Sequence, residues 1–225
     1  IKYYINSHEQ NCGHAATGLS KSSNQTGVCV VTSGPGLTNL ITPMLDATND
    51  STPLVVFSGQ VPLKAMGSNA FQEAPSTEIT KPITKWSYCV QDVSELPYVV
   101  DKAFWLANHK KKGSVHIDLP KCVLTSILEV NAKKFIKPKY NNSETQEKYL
   151  NQNIQNIAEI INNSKKPIFY IGKGCIPAYQ ELRYCAEEFK IPVTTTLHGM
   201  GIFDEEHELS CEMLGMHGSY TANNA

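Results

Sequence analysis

The sequence lacks long apolar runs, and it lacks an excess of charge of either sign. No stretch of apolar residues approaches the roughly 20 that a helix needs to span a bilayer. Its 225 residues include 20 Lys and Arg against 21 Asp and Glu, dispersed along the chain, and the basic cluster at residues 110–112 is short. The sequence therefore predicts neither a membrane span nor the basic surface that binds nucleic acid or an anionic membrane.

The cysteines lack the close pairing that zinc sites and redox motifs use. Seven cysteines are spread over the chain and none forms a C-x-x-C pair, so we predict reduced thiols and no metal site. Reduced thiols favour an intracellular protein, in the cytoplasm or in an organelle such as a plastid or a mitochondrion. No signal or transit peptide is visible, and because the chain opens inside a predicted strand, we expect its true N-terminus to be missing.

The composition that remains is that of a folded α/β protein, with 41% hydrophobic and 18% charged residues. Short β-branched runs alternate with helical patterns, which predicts a parallel sheet covered by helices on both faces. Strands are predicted at residues 1–5, 27–32, 53–58, 88–90, 114–118, 167–171 and 192–196. Helices are predicted from about residues 8–10 onward and at residues 37–49, 71–81, 94–108, 150–162 and 179–189.

A polar stretch interrupts this alternation between about residues 126 and 148, where Lys, Asn, Pro and Gln replace the apolar runs. We predict a first domain at residues 1–125, a linker at 126–149 and a second α/β unit at 150–225. The second unit has two predicted strands, too few to cover its two helices, so we expect the chain to stop inside that domain.

Glu9 is the first candidate for chemistry. It follows the predicted strand at residues 1–5, and Asn6 and Ser7 are expected to break that strand and cap the next helix. A carboxylate at the carboxyl end of a parallel strand lies where open α/β sheets bind ligands. The alternative is a Glu that only complements the positive end of the helix dipole.

A glycine turn, residues 33–36 (SGPG), joins the next predicted strand to its helix. Such a turn leaves backbone N–H groups at the helix N-terminus that can meet an anion or a second subunit. Equally, the two glycines can be there only because the turn is tight.

Taken together, several motifs resemble one family. They are residues 7–10 (SHEQ), 32–39 (TSGPGLTN), 53–62 (PLVVFSGQVP), 69–74 (NAFQEA), 79–86 (ITKPITKW), 115–121 (VHIDLPK) and 212–218 (EMLGMHG). In order and spacing they resemble the large catalytic subunit of acetolactate (acetohydroxyacid) synthase. The resemblance implies a parallel-sheet, pyrimidine-binding domain of thiamin-diphosphate enzymes, followed by the first half of a Rossmann-like, FAD-binding middle domain.

The resemblance gives Glu9 a task at thiamin diphosphate. In the family the matching carboxylate bonds the pyrimidine ring nitrogen, so we expect a buried Glu9 with a raised pKa. Ser51 and Gln72 match further residues at the cofactor, and Pro62, Phe71 and Lys121 match residues of the substrate channel. Ser51 could equally be a simple cap, Pro62 a turn residue and Lys121 a lysine at a strand end. Leu37, Leu40 and Phe71 are expected on the surface that faces the other domains.

For FAD, the resemblance points to ten positions: Lys111, Gly172, Lys173, Gly174, Thr196, Leu197, Leu214, Gly215, Met216 and His217. The family has Arg where this chain has Lys111, and Gly where it has Lys173. Lys111 loses the planar fork that clasps phosphate, and Lys173 adds bulk and strain where the backbone approaches the dinucleotide. Weakened FAD binding, or a rearranged glycine turn, is therefore expected.

The family holds Mg²⁺ and the pyrophosphate through a GDG…N motif in a third domain, and no GDG occurs in this sequence. We therefore expect the metal ligands to lie outside this chain, either in a longer protein or on another chain. The resemblance implies decarboxylation of pyruvate and ligation to a second 2-oxo acid, in a homodimer or higher homo-oligomer with the active site between subunits, and a regulatory small subunit as partner. The alternatives are another FAD-containing enzyme such as pyruvate oxidase, or a non-catalytic binding or assembly domain. Glu9 argues against glyoxylate carboligase, which lacks that carboxylate.

Overall fold

The computed structural model describes residues 1–128 and 144–225, with side chains described for residues 1–128 and 150–225. The chain divides into two compact units, Ile1–Lys139 and Tyr140–Ala225. Most of the predicted linker lies outside the described residues. Its last part is helical, since a helix begins at Glu144 rather than at residue 150. The Glu, Gln and Lys residues there are good helix formers, which explains the earlier start.

A four-stranded parallel sheet forms the centre of the first unit, in the order β1-β2-β4-β3. The strands are β1 (Gly27–Val31), β2 (Leu54–Gln60), β3 (Trp86–Cys89) and β4 (Ser114–Pro120). In register, Leu54 of β2 lies beside Gly27 on one side and Ser114 on the other. β2 and β4 are therefore interior strands, and their side chains are largely buried on both faces.

Helices cover both faces of this sheet. They are α1 (Glu9–Ser23), α2 (Pro35–Thr38), α3 (Ile41–Asn49), α4 (Ser76–Thr80), α5 (Leu96–Asn108) and α6 (Lys121–Leu124). Successive residues of β2 point to opposite faces, so Val55 packs in one core cluster with α5 while Leu54 and Val56 pack in another with α3. Leu37 and Leu40 are fully buried in the second cluster, which corrects the expectation that they are exposed.

Small residues bring α1 close to its neighbours. A methyl group on Gly13 would lie 2.4 Å from Cγ of Pro43 in α3, and one on Gly27 would lie 2.5 Å from the carbonyl oxygen of Ala16. On β1, the fully buried Cys29 donates its thiol to the carbonyl oxygen of Cys12 in α1, at 3.5 Å. Burial raises the pKa of Cys29. The seam between α1 and β1 is thus tightly packed and closed to water.

The second unit contains a three-stranded parallel sheet in the order β5-β6-β7. Its elements are α7 (Glu144–Asn163), β5 (Phe169–Ile171), α8 (Tyr179–Phe189), β6 (Val193–Thr195), β7 (Ser210–Met213) and α9 (Tyr220–Asn224). β7 and α9 were not predicted from the sequence. Among the residues whose side chains are described, the buried hydrophobic cluster of this unit is small, with four members. They are Ile171, Ala186, Val193 and Phe203.

The predicted strand at residues 1–5 is wrong. These residues form no strand, and the side chains of Ile1, Tyr3, Tyr4 and Ile5 are exposed. A strand needs a partner, and the sheet neighbour of β1 on its one paired side is β2. The cap is also different, since His8, not Asn6 or Ser7, caps α1 by accepting a hydrogen bond from the backbone N–H of Gln10 at 3.1 Å.

Two predicted helices differ from the structure. The helix predicted at residues 37–49 is two helices, α2 and α3, which meet at residues 39–40. The helix predicted at residues 71–81 begins only at Ser76 as α4. Proline disfavours helical geometry in the residue before it, so Pro75 accounts for this late start. Among the helices of the described residues, none is both long and apolar enough to cross a membrane.

Candidate active site

The two ends of α1 mark the two edges of the first sheet. Near its C-terminus, Ser20 Oγ donates to the carbonyl oxygen of Pro53 at 3.1 Å, just before β2 begins. At its N-terminus, Asn39 Nδ2 donates to Oε2 of Glu9 at 2.9 Å, beyond the end of β1. α1 has 15 residues, so these ends are roughly 22 Å apart at about 1.5 Å per residue. Glu9 therefore lies at the carboxyl edge, where α/β sheets bind ligands.

The surroundings of Glu9 favour its ionised form. The amide of Asn39 and the backbone N–H of Glu9 itself donate to the carboxylate, and they lower its pKa below the ordinary value. Glu9 is half-buried, and His8 beside it adds a smaller electrostatic contribution in the same direction. The expectation of a raised pKa is therefore wrong for the protein without cofactor, because hydrogen bonding to the carboxylate outweighs burial.

The glycine turn contacts the loop that carries Gln72. Gly34 is buried with φ +58°, and a methyl group on it would lie 2.6 Å from the carbonyl oxygen of Gln72. Gly36 is similarly confined, since a methyl group there would lie 2.8 Å from Cγ2 of Thr32. Glycine is thus needed for backbone conformation and for close approach. The structure brings Glu9, through Asn39 at the end of α2, to the same edge as Gln72.

Residues 61–75 form a loop, the 61–75 loop, between β2 and α4. Gln72 has φ +59°, an unusual conformation for a residue other than glycine, and Phe71 is 89% exposed. The carboxylate of Glu73 accepts hydrogen bonds from the backbone N–H groups of Gly67 and Ala70, the latter at 2.9 Å. These bonds lower the pKa of Glu73. The tip of the loop is therefore tied together by its own carboxylate.

A buried polar network lies where β2 and β4 meet the 61–75 loop. Ser58 Oγ donates to Oδ1 of Asp118 at 2.6 Å and lies 2.7 Å from Nε2 of His116. Gln60 Nε2 donates to Oδ2 of Asp118 at 2.9 Å. This network was not predicted from the sequence. Its signal was polar side chains two residues apart on neighbouring buried strands, with Ser58 directly beside Asp118.

Burial decides the ionisation of the two titratable members of this network. It lowers the pKa of His116 to about 3, so its imidazole is neutral at physiological pH, and it raises the pKa of Asp118 although Ser58 and Gln60 donate to the carboxylate. Ser58, His116 and Asp118 are each about 1% exposed or less, so no substrate reaches them. Ser58 also sits between the other two, which is not the order of a hydrolytic triad.

The other predicted residues of the first unit fall on both edges. Pro62 follows β2 and Lys121 follows β4, so both lie at the carboxyl edge with Glu9. Ser51 precedes β2, with φ +52°, and Lys111 precedes β4. Both therefore lie at the amino edge, and the structure does not bring them together with Glu9.

In the second unit, the predicted FAD residues follow the carboxyl ends of three strands. Gly172, Lys173 and Gly174 follow β5, Thr196 and Leu197 follow β6, and Leu214, Gly215, Met216 and His217 follow β7. Lys173 does not take a positive φ, so the strain expected there is not found.

The first two strand ends are in close contact. The Thr196 N–H donates to the carbonyl oxygen of Ile171 at 2.8 Å, and a methyl group on Gly199 would lie 2.8 Å from that same oxygen. A methyl group on Gly172 would lie 3.3 Å from Thr196 Oγ1. Gly199 is a residue that the sequence analysis did not assign, and a glycine between two predicted contact segments was the available signal.

At the third strand end, Asn223 fixes the backbone of Gly215. The N–H of Gly215 donates to Oδ1 of Asn223 at 2.8 Å, and Asn223 Nδ2 donates to the carbonyl oxygen of Gly215 at 3.0 Å. Gly215 has φ +107°, and Met216 is 91% exposed. Within the described part of the chain, no group of three His, Cys, Asp or Glu side chains could hold a metal ion.

Comparison with known families decides what these two units are. Residues 1–79 match the family model "Thiamine pyrophosphate enzyme, N-terminal TPP binding domain", and residues 154–225 match "Thiamine pyrophosphate enzyme, central domain". Thiamine pyrophosphate is another name for thiamin diphosphate. This chain belongs to the thiamine pyrophosphate enzymes. The predicted α/β fold with a parallel sheet, an N-terminal domain and a central domain of this family is confirmed.

Curated relatives extend the similarity over nearly the whole chain. The chain is 43% identical to the mitochondrial acetolactate synthase catalytic subunit of Saccharomyces cerevisiae, over 99% of this chain and 34% of the relative. It is 40% identical to the chloroplastic acetolactate synthase of Arabidopsis thaliana, over 100% and 34%. It is 42% identical to the acetolactate synthase large subunit of Lactococcus lactis, over 100% and 39%. The predicted resemblance to this family is confirmed, and the chain spans about a third of the length of these relatives.

Proposed function

We propose that this chain is part of an acetolactate synthase catalytic subunit. The complete enzyme decarboxylates pyruvate and joins the remaining two-carbon unit to a second 2-oxo acid. The observation that carries the proposal is the position of Glu9, a carboxylate held by Asn39 at the carboxyl edge of a parallel sheet, within the segment that matches an N-terminal TPP-binding domain. The relatives are acetolactate synthases, which favours this function over pyruvate oxidase or a non-catalytic domain.

The chain's own residues fit the pyrimidine end of thiamin diphosphate. When bound, this cofactor would supply a nucleophilic carbon that attacks the substrate carbonyl and a cationic ring that takes up the electron pair released on decarboxylation. Glu9, ionised and half-buried, offers a carboxylate oxygen that can hydrogen-bond a ring nitrogen and hold its proton. We assign Gln72 to the reacting end of the cofactor, and Phe71, Pro62 and Lys121 to the substrate channel. Ser51 lies at the other edge, so we assign it no role in this set.

Replacing Glu9 by Gln tests this function. In the full-length catalytic subunit, Glu9→Gln keeps the size of the side chain and its bond to a donor, but removes the acid–base group. We expect the fold to persist and hydrogen–deuterium exchange at C2 of the cofactor to slow by about 100-fold or more, within the usual range for a lost acid–base group. NMR of the quenched cofactor measures this rate, with Asn11→Ala, an exposed residue of α1, as the control. A parent-like exchange rate in Glu9→Gln would remove Glu9 from catalysis.

We propose that the second unit is the front half of a Rossmann-like domain that binds FAD. Two observations fit a dinucleotide at its carboxyl edge. Gly199 lets the backbone approach closely there, since a methyl group on it would lie 2.8 Å from the carbonyl oxygen of Ile171, and Thr195 Oγ1 is buried without a hydrogen-bond partner among the described residues. Gly174, Leu197, Leu214, Met216 and His217 are further candidates on that edge. Lys111, in the first unit, stays a proposed FAD residue on the strength of the resemblance alone.

The rest of the holoenzyme is proposed on the same grounds. We propose that Mg²⁺ and its ligands lie outside this chain, because no GDG motif occurs in the sequence. We propose that residues 1–125 and 150–225 are parts of two domains joined by residues 126–149. We further propose an intracellular homodimer or higher homo-oligomer with the active site between subunits, and a regulatory small subunit as partner.

A further inference from the structure

Much of the 61–75 loop is exposed. Phe71 is 89% exposed, and Pro62, Gly67 and Asn69 are exposed as well. The hydrogen bonds that Glu73 accepts from the backbone N–H groups of Gly67 and Ala70 join residues within the tip. They therefore do not connect the loop to the sheet. Apart from the contact of Gln72 with Gly34, the loop is connected to the sheet at its two ends, which together form its neck.

A single buried side chain, that of Gln60, forms hydrogen bonds with both ends of the 61–75 loop. Gln60, the last residue of β2, is 4% exposed. Its Oε1 accepts from the N–H of Val61, where the loop starts, at 2.8 Å. Its Nε2 donates to the carbonyl oxygen of Ala74 at 3.0 Å and to Ser76 Oγ at 3.1 Å, where the loop ends.

Asp118 holds the Gln60 amide in this orientation. Its Oδ2 accepts from Gln60 Nε2 at 2.9 Å, and its Oδ1 accepts from Ser58 Oγ at 2.6 Å. Because Asp118 is fully buried on the neighbouring strand β4, it is a fixed anchor rather than a mobile surface group. The amide of Gln60 cannot flip without placing its oxygen against a carboxylate.

We propose that Gln60 is the positioning residue of the 61–75 loop, anchored by Asp118, and that it sets the place of Gln72 at the cofactor. The catalytic part of this inference rests on the function proposed above. Gln72 is close to the hydrogen bonds of Gln60, because it is two residues from Ala74. Its carbonyl oxygen also lies against Gly34. A loop released at its neck would move Gln72 off that contact.

The first test measures the loop without reference to activity. Hydrogen–deuterium exchange of residues 62–75 is followed by mass spectrometry in the full-length catalytic subunit, in the parent, Gln60→Ala and Gln60→Glu. Gln60→Glu preserves volume and the acceptor for Val61 but removes both N–H donors and places a second carboxylate beside Asp118. We expect exchange in this segment to rise about tenfold or more in both variants, as the loss of one or two hydrogen bonds implies. The matched control is Gln91→Ala, an exposed glutamine after β3.

The second test measures catalysis in the same variants. Loss of positioning predicts that kcat falls at least tenfold while the KM for pyruvate changes less, because an interaction made at the reacting centre is lost. Asp118→Asn, which presents a donor where an acceptor is needed, is expected to share both effects to a smaller degree.

Three results separate the possibilities. Unchanged exchange of residues 62–75 in both Gln60 variants would overturn the proposal that Gln60 positions the loop. Faster exchange with unchanged kcat and KM would overturn the link between the loop and catalysis. Failure of the proposed function would be seen in a different experiment. It would appear as a parent-like rate of C2 exchange in Glu9→Gln, independently of the exchange measured in residues 62–75.

Discussion

At the scale of single residues, the ionisation of Glu9 depends on one neighbouring amide. We expect Asn39→Ala to raise the pKa of Glu9 toward its ordinary value, because the largest cause of its lowering is the hydrogen bond from Asn39. A carboxylate with a lowered pKa stays ionised as pH falls, until the pH reaches that pKa. In the variant, the acid side of the pH profile for C2 exchange should therefore move to higher pH. Unmoved profiles in Asn39→Ala and in the control Asn11→Ala would contradict this assignment.

Two lysines test the proposed FAD site. Arg in place of Lys111 restores a planar fork for phosphate, and Gly in place of Lys173 removes bulk beside Gly172. We expect the full-length protein carrying Lys111→Arg and Lys173→Gly to retain more flavin on dialysis than the parent, measured by flavin absorbance. Lys165→Arg, a change on an exposed residue, is the control. Equal retention in all three would mean that both lysines are accommodated.

At the scale of the helix, α1 contains two glycines with opposite expected effects. A methyl group on Gly13 would meet Pro43 and Leu40 within 3 Å, whereas one on Gly18 would meet nothing within 4 Å. We expect Gly13→Ala to lower the free energy of unfolding by about 1–3 kcal/mol through overpacking. Gly18→Ala should raise it by about 0.5–1 kcal/mol, because alanine loses less backbone entropy in a helix. Urea unfolding followed by circular dichroism compares the two, and a similar change in both would contradict the packing of α1 on α3.

Much of the element order was predictable from sequence, and the misses have physical causes. Continuous β-branched runs predicted β1, β2, β4, β5 and β6, and helical periodicity predicted the body of α5 and α8. Residues 1–5 have the same composition but no strand to pair with, which no local pattern reveals. Ser210–Met213 carries polar residues and was missed as β7, since its place in the sheet comes from pairing with β6.

Residues of the candidate site that belong to sequence motifs were predictable. Those brought together only by the three-dimensional arrangement of the strands were not. Glu9, Gln72 and Lys121 came from motifs and lie at the carboxyl edge, while their roles stay predictions. Ser51 came from the same comparison, yet it precedes its strand and lies at the amino edge. The network of Gln60 and Asp118 depends on the register between β2 and β4, which a single sequence does not specify.

At the scale of the whole molecule, the 225-residue chain alone should bind thiamin diphosphate poorly and lack carboligase activity. Most of the cofactor's charge is on its pyrophosphate, which requires a metal and oxygen ligands, and the described residues offer no metal cluster. A few hydrogen bonds to the pyrimidine, each about 0.5–1.5 kcal/mol net, do not replace that. Titration calorimetry with magnesium and thiamin diphosphate measures the affinity. A saturable micromolar signal from the isolated chain would contradict the prediction.

The reactivity of the Cys29 thiol reports on the separation of α1 from β1. Alkylating reagents attack the thiolate, and burial keeps this sulfur protonated and out of their reach, while the six other cysteines are only partly buried. Its rate of modification is therefore gated by separation of α1 from β1, the helix that begins at Glu9 and the strand that leads into the glycine turn. A single mass-shift measurement at this one sulfur thus records how often α1, which begins at Glu9, separates from the sheet.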